Sequence, residues 1–158
     1  FGIAPSDARA LLDAGAAYVD LAGSGGTNWI AVEGYRHDEA ALAASLEFAD
    51  WGWRTAPLLA ASPVASGRVL ASGGLRTGMD VAKALALGAA AAGMALPLAR
   101  AASEGGAKAV VAYGRRVERV LKSVMLLTGS RTVADLRRPG VLSMSHGFAE
   151  ERDRIAVA

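Results

Sequence analysis

The sequence predicts an α/β fold built from parallel βαβ units, and two observations carry the prediction. Short apolar stretches of strand length alternate with stretches of helical periodicity along the 158 residues. The run VLASGGLRTGMDVAKALALG at 69–88 places a strand, a glycine-hinged turn and a helix in immediate succession.

Read in chain order, the periodicity gives a helix at 6–14, a strand at 17–21, a helix at 39–51 and a strand at 69–71. A helix at 80–87, a strand at 90–94 and two helices at 107–127 and 132–137 follow. The opening Phe1-Gly2-Ile3 reads as the loop after a further strand whose body lies upstream. In the 69–88 run, Gly73 and Gly74 have no Cβ, so the turn can take positive φ and bring its N–H groups close to an anion. Arg76 adds a fork of donors that suits phosphate oxygens. Asp80 is expected to open the next helix, whose first-turn N–H groups and positive dipole end favour an anion, and Gly88 to stop it. An ordinary strand–turn–helix connection uses the same glycines, but Arg76 favours a phosphate cradle.

Composition narrows the function classes. A net charge of +2, with no Lys/Arg cluster interleaved with aromatics, gives nucleic-acid binding no support. Arg115, Arg116 and Arg119 beside Glu118 read as a solvated helix face. With no cysteine, disulfides and thiolate metal sites are excluded. No apolar run reaches the ~18 residues of a membrane span without interruption; 82–99 comes near it but contains Lys83, two glycines and Pro97. No signal segment is seen at Phe1, so no membrane partner and a cytoplasmic location are expected. His37 and His146 lack partners at metal-ligand spacing and read as exposed residues. Trp51 and Trp53 read as packing residues, while Trp29 adjoins Thr27.

The segment 23–27 (GSGGT) follows the strand at 17–21, at the strand end where α/β barrels place their chemistry. Its glycines would let a planar ring approach the backbone, and Thr27 offers a hydroxyl to a phosphate or ring oxygen. A flexible Gly-Ser loop capped by Thr27 is the bland alternative.

Gly73 to Arg76, ALGA at 86–89 and GMA at 93–95 form one set of motifs, and VDLAGSGGTNWIAVEGYR at 19–36, FADWG at 48–52, GMALP at 93–97 and LLTG at 126–129 a second. The first set resembles the wider group of FMN-binding barrels, and the second is similar to the type 2 isopentenyl diphosphate isomerases in particular. The lead at 60–68 is less apolar than the family's, and 89–92 lacks an acidic residue common there. The fold this implies is the C-terminal half of a (β/α)8 TIM barrel with extra C-terminal helices, the N-terminal half being absent. Such barrels need about 250 residues and at least about 200, so the chain is expected to be a piece of a larger polypeptide. Residues 1–141 form the barrel part and 142–158 a polar C-terminal tail.

The resemblance also implies interconversion of isopentenyl and dimethylallyl diphosphate by a 1,3-allylic proton shift. Reduced FMN is the implied cofactor, with Mg²⁺ on the substrate diphosphate, NADPH keeping the flavin reduced, and a homo-oligomeric state. By that resemblance Thr27, Gly74, Leu75, Arg76, Ala95 and Leu96 hold FMN. Barrel phosphate sites are built from the loops after the last two strands, which suits both halves of the set. Glu33, past the Thr27 loop at the barrel mouth, is the candidate proton-handling residue, or else a carboxylate favoured by a helix start. The family's flavin-contacting lysine, its histidine and glutamine near the substrate and its metal-binding glutamate fall upstream. Two rival readings stand beside this one. A 2-hydroxy acid oxidase type enzyme should carry a histidine ahead of the phosphate turns, yet none lies between 38 and 145. A non-catalytic half-barrel module would suit the short chain.

Overall fold

The computed structural model describes residues 1–62 and 67–157. Among them, β1 (Val19–Asp20), β2 (Val69–Ala71) and β3 (Ala91–Ala92) form a parallel sheet in chain order. Val19 lies opposite Val69, and Leu70 opposite Ala91. Parallel neighbours need crossovers, and helices supply them. α1 (Pro5–Asp13) precedes β1; α2 (Trp29–Gly34), α3 (Glu39–Leu46) and α4 (Thr55–Ala61) link β1 to β2; α5 (Gly78–Ala86) links β2 to β3. After β3 come α6 (Leu96–Leu127), a short 3₁₀ helix (Ala134–Arg137) and α7 (His146–Ala156). No helix among the described residues is long and apolar enough to cross a membrane.

The core lies where these helices meet the sheet. Leu21, Leu58, Leu136 and Ile155 are fully buried, each stabilising by about 1.5–3 kcal/mol. Val19, Val69 and Ala71 of the strands, with Leu12 and Leu59 of the helices, complete it.

Several elements differ from the sequence-based expectation. The strands are shorter than 17–21 and 90–94, because ladder pairing lasts for two or three residues before the loops diverge. The helix expected over 39–51 stops at Leu46; the N–H groups of Glu47, Phe48 and Ala49 fold back in tight turns and Gly52 takes φ 111°. α2 and α4 are unforeseen. Asn28 caps α2 by accepting the Ala31 N–H at 3.0 Å. α6 begins eleven residues before 107, with Pro97 in its first turn, and is broken at Gly105 and Gly106. The expected helix at 132–137 is a 3₁₀ turn from Ala134. Within 142–158, set apart as a polar tail, α7 packs on α4: Ile155 enters the core and Glu151 pairs with Arg54. Of the lead at 60–68, residues 63–66 lie outside the described residues.

Candidate functional site

Three loops leave the C-terminal ends of β1, β2 and β3 and converge on one cleft of about 480 Å³. Gly25, Gly26 and Thr27 come from the first, Gly73 to Arg76 from the second, and Gly93 to Leu96 from the third. All six residues expected to hold a cofactor therefore share one lining. Trp29 lines the cleft as well and is 69% exposed.

The first two loops touch backbone to backbone. A Cβ on Gly26 would lie 3.0 Å from the Gly73 Cα, and one on Gly74 would lie 3.1 Å from the Gly25 Cα. Gly73 and Gly74 have φ of 92° and 85°, the left-handed region that side chains disfavour. Behind the turn, the buried Thr55 hydroxyl reaches the carbonyls of Ser72 at 2.9 Å and Gly73 at 2.5 Å. The Ser72 hydroxyl donates to the Asp20 carboxylate at 2.8 Å. Asp20 also accepts the N–H of Ala22, whose φ of 45° is unusual for a residue with a side chain.

The sequence placed Asp80 at the helix start; α5 instead begins at Gly78 with Thr77 as its cap. Thr77 and Asp80 form a reciprocal capping box, because the threonine hydroxyl reaches the third-residue N–H and the carboxylate returns to the cap. Asp80 accepts the Arg76 N–H too, at 3.0 Å. Partial burial works against its ionisation, but the N–H groups of Arg76 and Thr77, the Thr77 hydroxyl and the charge of Lys83 outweigh burial. The carboxyl is held below its ordinary value. Gly88 stops the helix as expected: its N–H meets the Leu85 carbonyl and the Ala89 N–H meets that of Ala84, both at 3.1 Å.

The chemistry of the lining is that of an anion site. Among the described residues, the N–H groups of Gly74, Leu75, Ala95 and Leu96 meet no acceptor. The Arg76 guanidinium crosses to the Gly25 carbonyl at 3.2 Å, which ties the two loops and leaves further donors. Main-chain amides and a guanidinium on one concave surface suit a phosphate, and the close glycine contacts form a cradle that any Cβ would fill.

Glu33 does not line the cleft. It stands one helical turn beyond Trp29, and its carboxylate meets His37 Nε2 at 3.1 Å and Arg36 at 3.6 Å. His146 is exposed and pairs with Glu150 at 3.2 Å. Among the described residues no three His, Cys, Asp or Glu side chains gather as a metal site. Sequence reasoning missed Thr55, Asp20 and Tyr113, whose hydroxyl donates to the Arg76 carbonyl. A threonine ahead of Pro57 in an apolar stretch was the faint signal for the first.

The FMN-dependent dehydrogenase family model matches residues 3–143. An isopentenyl-diphosphate delta-isomerase of Borrelia garinii subsp. bavariensis is 43% identical over 151 residues, covering 95% of this chain and 42% of that protein. One of Methanothrix thermoacetophila is 42% identical over 145 residues, covering 89% and 40%. A solved structure of Pediococcus acidilactici lactate oxidase matches with a TM-score of 0.61 at 28% identity, covering 92% of this chain and 36% of that one. The chain thus spans about two fifths of the length of the curated relatives it matches.

Proposed function

The chain belongs to the FMN-dependent dehydrogenase family, and on that premise we propose that it is the FMN-holding portion of an isopentenyl-diphosphate delta-isomerase. The observation that carries the reading is the convergence of four acceptor-free amides and Arg76 on one cleft, in a chain 42–43% identical to proteins of that name. The sheet and its crossovers would form the C-terminal half of a (β/α)8 barrel.

In this reading Gly74, Leu75, Ala95 and Leu96 donate main-chain N–H groups to the FMN phosphate, Arg76 clamps it, and Thr27 offers its hydroxyl to phosphate or flavin oxygen. Reduced FMN supplies, when bound, a ring nitrogen region able to exchange protons with an allylic carbon. Glu33 handles a proton at the cleft mouth; its support is Trp29, which lines the cleft on the same helix face one turn earlier. Mg²⁺ and NADPH would act in the complete enzyme; among the described residues no three candidate metal ligands gather. A cytoplasmic homo-oligomer is part of the same proposal.

The test is to incubate the full polypeptide with FMN, NADPH, Mg²⁺ and isopentenyl diphosphate and, in a parallel sample, with FMN, a 2-hydroxy acid such as lactate and dioxygen. Dimethylallyl diphosphate is the expected product. Oxidation of a 2-hydroxy acid without isomerisation would replace this reading with the oxidase one, and neither reaction from FMN-loaded protein would overturn the enzymatic reading.

A further inference from the structure

Resting on the assignment of the cleft to the FMN phosphate, we propose that Tyr113 is a positioning residue that sets the phosphate turn from behind. Its hydroxyl donates to the carbonyl of Arg76. The N–H of Arg76 is meanwhile held by Asp80 at 3.0 Å. Asp80 accepts the Thr77 N–H as well, at 2.9 Å, so the peptide plane that follows the arginine is held at its N–H by α5 and at its carbonyl by α6. With the preceding plane held at the Arg76 N–H, the backbone at Arg76 is fixed, and with it the direction in which the guanidinium departs.

The placement of α6 explains how one side chain reaches so far. Leu96, at the start of α6, lines the cleft from the β3 side. At Gly105 and Gly106 the helix breaks, the second with φ 61° and ψ −155°, a conformation that a residue with a Cβ resists. Beyond the break, the helix returns along α5. Gly78 lies so close to it that a Cβ there would meet the Val117 carbonyl and the Val120 Cβ, each at 2.6 Å. Tyr113, Val117 and Val120 fall at i, i+4 and i+7, one helix face. That face is pressed on the start of α5 and on the phosphate turn. The Arg116 guanidinium stacks 4.6 Å from the centre of the Tyr113 ring, covering its outer side. One helix therefore contributes to the cleft twice, at its N-terminus and again through Tyr113.

The role predicts an effect on the phosphate and none on the isoalloxazine. Tyr113→Phe keeps the ring and its stacking on Arg116 but removes the donor. FMN and riboflavin, which lacks the phosphate, are titrated separately into the full polypeptide by flavin fluorescence. Expected for Tyr113→Phe are an FMN affinity lower by about three- to tenfold, the range for one neutral hydrogen bond, an unchanged riboflavin affinity, and a shifted ³¹P resonance of bound FMN. Unchanged FMN affinity, or equal losses for FMN and riboflavin, would overturn the positioning role. Wild-type protein that binds FMN no more tightly than riboflavin would instead overturn the assignment of the cleft itself.

Discussion

The turn at 73–76 lines the cleft and the α2–α3 hairpin reaches it through Trp29, yet the two are built in opposite ways. The turn is held by main chain: left-handed glycines in contact with a second glycine loop, a reciprocal cap on α5, and Thr55, Asp80 and Tyr113 each fixing a named backbone group. The hairpin is held by side chains and by itself. α3 buries no residue, Trp29 and Tyr35 are each 69% exposed, and Asn28 joins the two ends by donating to the Phe48 carbonyl at 3.1 Å. Few buried apolar contacts make local opening of such a unit inexpensive. The turn is thus the stiffer of the two regions, and substitutions in the turn and in the hairpin should have separable effects.

The sharpest way to break this distinction is to add one methyl group to each region. On Gly73 a Cβ would run into the Gly23 carbonyl and lie 2.8 Å from its nitrogen, all main chain, at a φ of 92°. Gly73→Ala should therefore cost more than about 3 kcal/mol by chemical denaturation, combining backbone strain with overpacking. On Gly34 a Cβ would lie 2.5 and 2.6 Å from the Ser45 Oγ and Cβ and 3.2 Å from the Leu42 Cα, so α2 and α3 would have to move apart, a shift eased by the few apolar contacts that hold the hairpin. Gly34→Ala also gains up to about 1 kcal/mol of helix propensity and brings no left-handed strain, so its cost should be smaller than that of Gly73→Ala. Equal losses would erase the contrast.

Next in size is an effect on chemistry. Glu33→Gln in the full polypeptide should lower turnover by about 10²-fold, the low end for a general acid–base group, with FMN affinity unmoved. Wild-type turnover with FMN bound would leave Glu33 as the surface partner of His37 and Arg36. A smaller effect is expected from Asp80→Asn, which keeps the shape of the cap but loses the carboxylate. It should cost about 1 kcal/mol near neutral pH. Because the folded state lowers the Asp80 pKa, its contribution is present above the ordinary value of 3.8 and is lost as pH falls through the folded value. The stability difference between wild type and Asp80→Asn should accordingly shrink at the acid end, and a gap that widens on acidification would contradict this.

What was legible in the sequence follows the same divide. Gly73, Gly74 and Gly88 announce main-chain conformations that few other residues allow, so the turn and the end of α5 could be read from composition and spacing. α2 was not, since six residues are too few to display a helical period, and its cap Asn28 reads equally well as a turn. α7 was hidden by charge: within 146–156 Ile155 is the aliphatic side chain that reaches the core, and the Arg54–Glu151 pair that helps seat the helix spans 97 residues. Thr55 and Tyr113 act on carbonyls 18 and 37 residues away, which no local pattern reports.

The central claim, that this cleft holds the FMN phosphate, is tested most directly by titrating FMN into the full polypeptide carrying Arg76→Ala. The lost charge-assisted contact should weaken binding by about 1.5–3 kcal/mol, while ligand-free stability falls by no more than about 1 kcal/mol from the lost exposed bond to the Gly25 carbonyl. FMN affinity equal to that of the wild type would contradict the assignment.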